Sequence, residues 1–331
     1  MFFTNKKKIK TIQMIKKIFI TGAAGFIGSH LAEKLFSNYN QSKFILYDKI
    51  TYAANKSYLK KLLKHKNVKF VKEDLLNFKI LEKNLKNVDL AINLAAESHV
   101  DNSFGNSLKF SETNTLGTHY FLEASRKQKV KRLIHVSTDE VYGENLGKPF
   151  KENQFLNPTN PYSASKAGAD MMVNAYKKSY KLNIITIRAN NIYGIRQFPE
   201  KLISKSIFNF LNKKKMTIHG KGNNYRYYLS VHDFCEGIVK IIEKGKSGEI
   251  YNIASEKKYK VIEVVKTIAH YLNVHFKKNT KFVTDRPFND KIYKINCNKL
   301  KKLNWSTTRE LKKDLPNICD WYKRNNKIFL K

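Results

Sequence analysis

Ser137-Thr138-Asp139-Glu140 places two hydroxyls against two adjacent carboxylic acids, directly after an apolar strand-like run, Leu133-Ile134-His135-Val136. Downstream, Tyr162-Ser163-Ala164-Ser165-Lys166 sets a phenol and an ammonium four residues apart. Positions i and i+4 share one face of a helix, so the Lys166 ammonium is expected to lower the Tyr162 pKa, with Thr138 hydrogen-bonding the same substrate oxygen. The spacing alone carries little in a chain this rich in lysine. It occurs three times, at Tyr39/Lys43, Tyr52/Lys56 and Tyr162/Lys166, and only the third opens a helix downstream of the Ser137-Thr138 strand. Asp139 and Glu140 sit at a strand's C-terminal end, where open α/β sheets bind ligands, although an acidic pair by itself also fits a solvated turn. A poised phenol with two acids of opposite protonation state suffices for an oxidation, an elimination and a reduction in one pocket.

The elements that must position these groups begin with Ile18-Phe-Ile-Thr-Gly22-Ala-Ala-Gly25-Phe-Ile-Gly28, which reads as strand, glycine turn and helix. Gly22 permits the tight turn, Gly25 lets backbone N–H groups approach a pyrophosphate at the helix N-terminus, and Gly28 allows close helix–sheet packing. Such glycines alone also fit a plain βα turn. Asp48 strengthens the nucleotide reading, because it ends the second strand-like run twenty residues past Gly28. A carboxylate there accepts from ribose hydroxyls and repels a 2′-phosphate, favouring NAD over NADP. Lys166 is then within reach of the nicotinamide ribose.

Short apolar runs at Lys17–Thr21, Phe44–Tyr47, Val68–Val71, Leu90–Leu94, Leu133–Val136 and Ile184–Ile187 predict buried strands. Helix-like stretches lie between several of them, at Ser29–Phe36, Glu112–Lys127 and Ala164–Lys181. The alternation predicts an α/β fold, a Rossmann-type doubly wound parallel sheet. After Asn190 the pattern becomes irregular, with glycine turns at 220–222 and a helix candidate at Val261–Tyr271, which predicts a smaller C-terminal substrate-binding lobe. The expected organisation is a basic tail over 1–13, a dinucleotide-binding domain with the catalytic residues over 14–190, and a mainly nucleotide-sugar-binding lobe over 191–331.

Composition sets the outer bounds. The chain has 331 residues, 42% hydrophobic and 12% aromatic, ample for a buried core. The formal charge of +36 invites a nucleic-acid reading, but of 63 basic residues only eight are arginine, and the lysines are spread evenly with abundant asparagine. A nucleic-acid footprint clusters and leans on arginine, so no nucleic-acid partner is expected. The charge still favours anionic ligands such as a nucleotide diphosphate. No run is long and apolar enough for a membrane span, no secretory signal is evident, and no metal-ligand cluster stands out. Cys235, Cys297 and Cys319 form no paired motif, consistent with reduced cysteines in a cytoplasmic protein.

Ordered segments spread over most of the chain now carry a resemblance. Asp48-Lys-Ile-Thr-Tyr-Ala, Leu94-Ala-Ala-Glu-Ser-His-Val-Asp101, Thr113-Asn114, Ser137-Thr-Asp-Glu-Val-Tyr-Gly143, Tyr162-Ser-Ala-Ser-Lys166, Phe198-Pro-Glu-Lys-Leu-Ile203 and Thr284-Asp-Arg-Pro287 resemble the extended short-chain dehydrogenase/reductases, and within them the dTDP-glucose 4,6-dehydratases. The resemblance implies catalytic roles for Thr138, Asp139, Glu140, Tyr162 and Lys166. Tyr162 takes the C4 hydroxyl proton as C4 is oxidised, Glu140 removes the acidified C5 proton, Asp139 protonates the departing C6 hydroxyl, and the hydrogen returns at C6. NAD, being regenerated, would stay bound. It also implies cofactor contacts from Gly22, Gly25, Phe26, Ile27, Gly28, Asp48, Lys49, Thr51, Asp74, Leu75, Leu94, Ala95, Ala96, Thr113, Tyr162 and Lys166, with Asp74 at the adenine amino group. Substrate contacts would come from Ser98, Thr138, Asn191, Lys201, Leu202, Arg226, Arg286 and Asn289, with Arg226 gripping the diphosphate. Relatives pair two helices per subunit, so a homodimer through Glu112–Lys127 and Ala164–Lys181 is implied.

The chain departs from the family pattern at Arg226-Tyr-Tyr-Leu, Asn190-Asn-Ile-Tyr-Gly194, Ile195 and Phe288-Asn289, all toward the nucleotide sugar. The favoured substrate is dTDP-glucose, with UDP-glucose as the nearest variant. A UDP-sugar epimerase or decarboxylase of the same fold is the first rival, and Asp139 argues against it because an epimerase has no leaving hydroxyl to protonate. A non-catalytic NAD-binding scaffold or basic binding protein is the distant rival, for which the complete Thr138/Tyr162/Lys166 set would have no use.

Overall fold

The computed structural model describes residues 15–285 and 292–330. The expected tail over 1–13, Arg286 and Asn289 lie outside the described residues. Six strands follow one another through the first half: β1 (Lys17–Thr21), β2 (Lys43–Asp48), β3 (Val68–Lys72), β4 (Leu90–Asn93), β5 (Arg132–Thr138) and β6 (Ile184–Ala189). They pair in parallel in the order β3-β2-β1-β4-β5-β6. Because both faces of this sheet are covered, successive residues of one strand are buried on opposite sides. Ile18 and Ile20 belong to one apolar cluster and Phe19, between them, to another. The order reverses between β1 and β4, which opens a crevice at the strands' C-terminal ends.

Helices α1 (Phe26–Asn38) and α2 (Phe78–Leu85) follow β1 and β3. The stretch expected as one helix over Glu112–Lys127 begins inside a π-helical turn at Ser111–Leu116 and continues as α5 (Gly117–Lys127), with α3 (Val100–Gly105) and α4 (Ser107–Phe110) leading into the turn. The π turn has a local purpose. Buried Asn114 brackets Glu97, accepting from its N–H at 2.9 Å and donating to its carbonyl at 3.0 Å, and donates also to Ser165 Oγ at 2.9 Å. Helix α6 (Pro161–Tyr180) starts three residues before the apolar pattern, because Asn160 and Ser163 form a reciprocal capping box with Pro161 in the first turn.

Beyond Asn190 the chain divides between two places. β7 (Asn191–Tyr193), β9 (Tyr225–Ser230) and β11 (Lys258–Lys260) form a small sheet, while β8 (Met216–His219) and β12 (Thr280–Val283) pair separately. Helices α7 (Leu202–Leu211), α9 (Val261–Tyr271) and α12 (Leu311–Asn325) enclose their own core around Ile207, Val265, Ile268 and Ile318. Short α10 (Phe276–Asn279) follows α9, and short α11 (Asn298–Lys301) precedes α12. By contrast, α8 (Val231–Lys244) and β10 (Ile250–Ile253) return to the first half: β10 pairs with β6 as the seventh strand of the large sheet, and Phe234, Ile238 and Ile241 pack under it.

Candidate active site

The crevice between the sheet reversal and the small lobe is a cleft of about 440 Å³. At its nucleotide end, Gly22 takes a left-handed φ of +64°, and a Cβ on Gly28 would stand 2.0 Å from the Gly22 carbonyl. No other residue type fits that turn-to-helix approach. Thr21 Oγ1 ties the two sides of the crevice together, donating to Asn93 Oδ1 at 2.7 Å and accepting from the N–H groups of Leu94 and Ala95. Asp48 is buried, which raises its pKa against the opposing hydrogen bonds from Ile50 N at 2.7 Å and Ala24 N at 2.9 Å. Its carboxylate therefore braces the glycine turn as well as facing the cleft, where lone pairs are left for further donors. Lys49 grips Asp74 at 2.7 Å, and together with backbone donors it outweighs burial and holds that carboxyl below its usual range. A glycine cradle, an adjoining buried acceptor and a crevice at the sheet reversal fit a dinucleotide.

At the other end, Thr138 closes β5 and Tyr162 lies in the first turn of α6. Both line the same cleft, where the Thr138 hydroxyl is placed to favour the ionised form of the Tyr162 phenol. The expected lowering of the Tyr162 pKa by Lys166 is reversed: burial, then the charges of Glu140 and Asp139, push the phenol well above its usual range, with the Thr138 hydroxyl opposing. Lys166 instead donates to the Val136 carbonyl at 2.8 Å, and burial lowers its own pKa to about 8. Asp139 is raised to about 7 by burial and by Glu140, against hydrogen bonds from Asn190 and Thr138. The bonds are 2.6 Å from Asn190 Nδ2 and 3.2 Å from Thr138 Oγ1. Glu140 is 3.5 Å from Asn160 Nδ2.

Nearly all the described candidate residues meet in this cleft. Its walls include Gly22, Gly25, Phe26, Ile27, Gly28, Asp48, Lys49, Thr51, Asp74, Leu75, Leu94, Ala95, Ala96, Ser98, Thr113, Thr138, Glu140, Tyr162, Lys166, Asn191, Lys201, Leu202 and Arg226. Asp139 is the exception: it stands behind the wall, 2% exposed, turned toward Asn190. Arg226 donates to the Tyr225 carbonyl at 2.8 Å and lies 5.4 Å from the Tyr293 ring centre. Lys201 donates to the Ser98 carbonyl and sits 5.8 Å from the Tyr162 ring centre.

Sequence reasoning missed Asn160, Asn190, Glu97 and Glu200, of which Asn160, Glu97 and Glu200 carry local signals. Asn160-Pro161 is a helix-start signature beside Tyr162, Glu97 lies within the quoted Leu94–Asp101 segment, and Glu200 within Phe198–Ile203. Asn190 opens the quoted Asn190–Gly194 segment, but nothing local points to its contact with Asp139, which joins the ends of two strands.

Comparison with known proteins adds four similarities. Residues 19–316 match the family model for GDP-mannose 4,6 dehydratase. The chain is 41% identical to a dTDP-D-glucose 4,6-dehydratase of Dictyostelium discoideum, covering 96% of this chain and 83% of that protein. It is 44% identical to a trifunctional UDP-glucose 4,6-dehydratase/UDP-4-keto-6-deoxy-D-glucose 3,5-epimerase/UDP-4-keto-L-rhamnose-reductase of Arabidopsis thaliana, spanning 94% of this chain but only 47% of that longer protein. Among solved structures, a dTDP-glucose 4,6-dehydratase from Streptomyces venezuelae with NAD and TYD bound superposes with a TM-score of 0.91 at 33% identity, over 95% of this chain and 98% of that one.

Proposed function

This chain belongs to the extended short-chain dehydrogenases/reductases, in the nucleotide-sugar epimerase and dehydratase family, and on that premise we propose that it is an NAD-dependent dTDP-glucose 4,6-dehydratase. It is a hydro-lyase of the nucleotide-sugar 4,6-dehydratase type, and its cofactor is NAD, for which the glycine cradle and Asp48 supply the fit. The carrying observation is the adjacent pair Asp139/Glu140 at the end of the strand that closes in Thr138, with Thr138, Glu140 and Tyr162 lining one cleft. When bound, NAD supplies the acceptor and later the donor of the hydrogen moved between sugar carbons.

The residues would divide the remaining work. Tyr162 and Thr138 hold the C4 oxygen and relay its proton, and Lys166 anchors the ribose. Glu140 is the base at C5, exposed to the cleft beside Asn160. Asp139 is the acid at the C6 oxygen: burial and the neighbouring Glu140 keep its proton on until about neutral pH, the state a leaving hydroxyl requires. To act, Asp139 must exchange Asn190 for the substrate. Arg226 would grip the diphosphate, and Lys201 would bind near the sugar.

We further assign a homodimer. The helices expected to pair leave Leu116 and Met171 exposed, as α4 just before them leaves Leu108, apolar surface that a second copy would cover. Among the described residues no helix is long and apolar enough to cross a membrane. A cytoplasmic location would suit the free, buried Cys235, Cys297 and Cys319.

The plant relative's identity favours one second reading, UDP-glucose as substrate. Incubating the purified protein separately with dTDP-glucose and UDP-glucose, and weighing the products, decides between them. Loss of one water from dTDP-glucose is the expected result. Conversion of UDP-glucose alone would overturn the base, and an isomer of unchanged mass would overturn the dehydratase.

A further inference from the structure

Behind Lys166 lies a buried group of charges to which no part in the reaction has been assigned. Lys166 and Asp170 are four residues apart on α6, 4% and 3% exposed, and share a face. Arg188 on β6 donates through Nε to Asp170 Oδ2 at 2.8 Å, and His135 Nε2 on β5 lies 3.4 Å from Asp170 Oδ1. Arg188 is fixed from its other side by the Tyr142 ring, 4.7 Å away. The adjacent strands β5 and β6 thus deliver both partners to one carboxylate.

Resting on the reading of Lys166 as part of the catalytic set, we propose that Asp170 is its positioning residue: anchored by Arg188, the Asp170 carboxylate is the fixed counter-charge that keeps the buried Lys166 side chain an ammonium under Tyr162. Burial strips water from the ammonium, and the Val136 carbonyl returns only one hydrogen bond. The charged and titratable groups acting on Lys166 and Asp170 are Arg188 and His135 from the sheet, with Tyr142, in the turn after β5, against the far side of Arg188. His135 is driven toward neutrality by burial, and Arg188 is cationic, so neither favours the ammonium. Asp170 does, being held ionised: against burial, the His135 contact and the charge of Arg188 keep its pKa below the usual range. Its charge opposes the desolvation that pulls Lys166 down to about 8.

The test reads Lys166 directly. In full-length protein carrying 13Cε-lysine and free of substrate, one lysine resonance should titrate near pH 8, apart from the others, and Lys166→Met should remove it. In Asp170→Asn that midpoint should fall by on the order of one pH unit. The double variant Asp170→Asn/Arg188→Met removes both members of the ion pair and spares the fold an uncompensated buried charge. It should keep the lowered midpoint. Recovery of the wild-type midpoint in the double variant would mean that Asp170 merely neutralises Arg188, and an unmoved midpoint in a folded Asp170→Asn protein would likewise overturn the proposal. Should Asp170→Asn not fold, the double variant alone decides on the same criterion. The alkaline limb of turnover should move down with the midpoint. Because the resonance needs no substrate, an error in the assigned nucleobase leaves this result intact.

Discussion

Asp139 and Glu140 are chemically near-identical neighbours, and the structure gives them different surroundings. Asp139 is sealed behind Thr138 and Asn190, whereas Glu140 faces the cleft. Asp139→Asn should lower product formation about 10²- to 10⁴-fold, while C5 still exchanges its hydrogen with heavy water through Glu140. Equal loss of exchange and dehydration would contradict the division of labour. The same shift has a stability consequence. Because the folded pKa, about 7, exceeds the usual 3.8, Asp139's contribution is intact below about pH 4 and is lost as pH rises through 7. At pH 8 the Asn variant should therefore resist denaturant better than the native protein, by roughly 2 to 4 kcal/mol, with the gap closing at pH 4. Paired urea titrations at those two pH values check this. Asn190→Ala, by removing a donor to the carboxylate, should push the alkaline limb of dehydration to higher pH.

Tyr162, the phenol proposed to act at C4, owes its position to the start of α6. Asn160 caps that helix, accepting from Ser163 N at 2.9 Å, and also stands in the cleft wall beside Glu140. Asn160→Ala should cost about 1 kcal/mol by thermal melting, yet reduce turnover by more than that loss predicts, because Tyr162 and Glu140 both lose a support. At the nucleotide end, Gly28→Ala would force α1 off β1, since the new Cβ meets backbone at 2.0 Å. Purified variant protein should come without bound NAD, as read by its absorbance after denaturation. Elements such as these were legible in the sequence because their causes are local. Each of the six apolar runs is a strand, shifted by at most two residues at either end, and the glycine turn carries its spacing openly. The π turn was not legible: Ser111–Leu116 has no Gly or Pro to mark a break, and its extra residue per turn answers to Glu97 and Ser165 across the fold. The seclusion of Asp139 was hidden for the same reason, as was the reversal of the Tyr162 pKa, which depends on two carboxylates and on burial rather than on helix spacing.

In the whole molecule, the exposed Leu108, Leu116 and Met171 make the assembly testable. Leu116→Arg with Met171→Arg should leave a folded monomer by sedimentation, whereas a native protein already monomeric would remove the dimer. The halves are also clasped across the cleft, where Tyr52 donates to Glu200 at 2.8 Å and packs edge-on against Phe198. Tyr52→Phe should speed NAD release several-fold without altering the melting temperature, as followed by cofactor recovery on gel filtration. The sheet's last strand carries a consequence for synthesis. β10 reaches β6 from residues 250–253, and Asn252 is pinned by Tyr142 at 2.9 Å. A nascent polypeptide emerging from the ribosome therefore holds β6 as an open edge through the translation of some sixty further residues, and cannot seal it early. During that interval the growing chain depends on chaperones, or on its own lysine-rich charge, to keep the bare strand from pairing with a stranger.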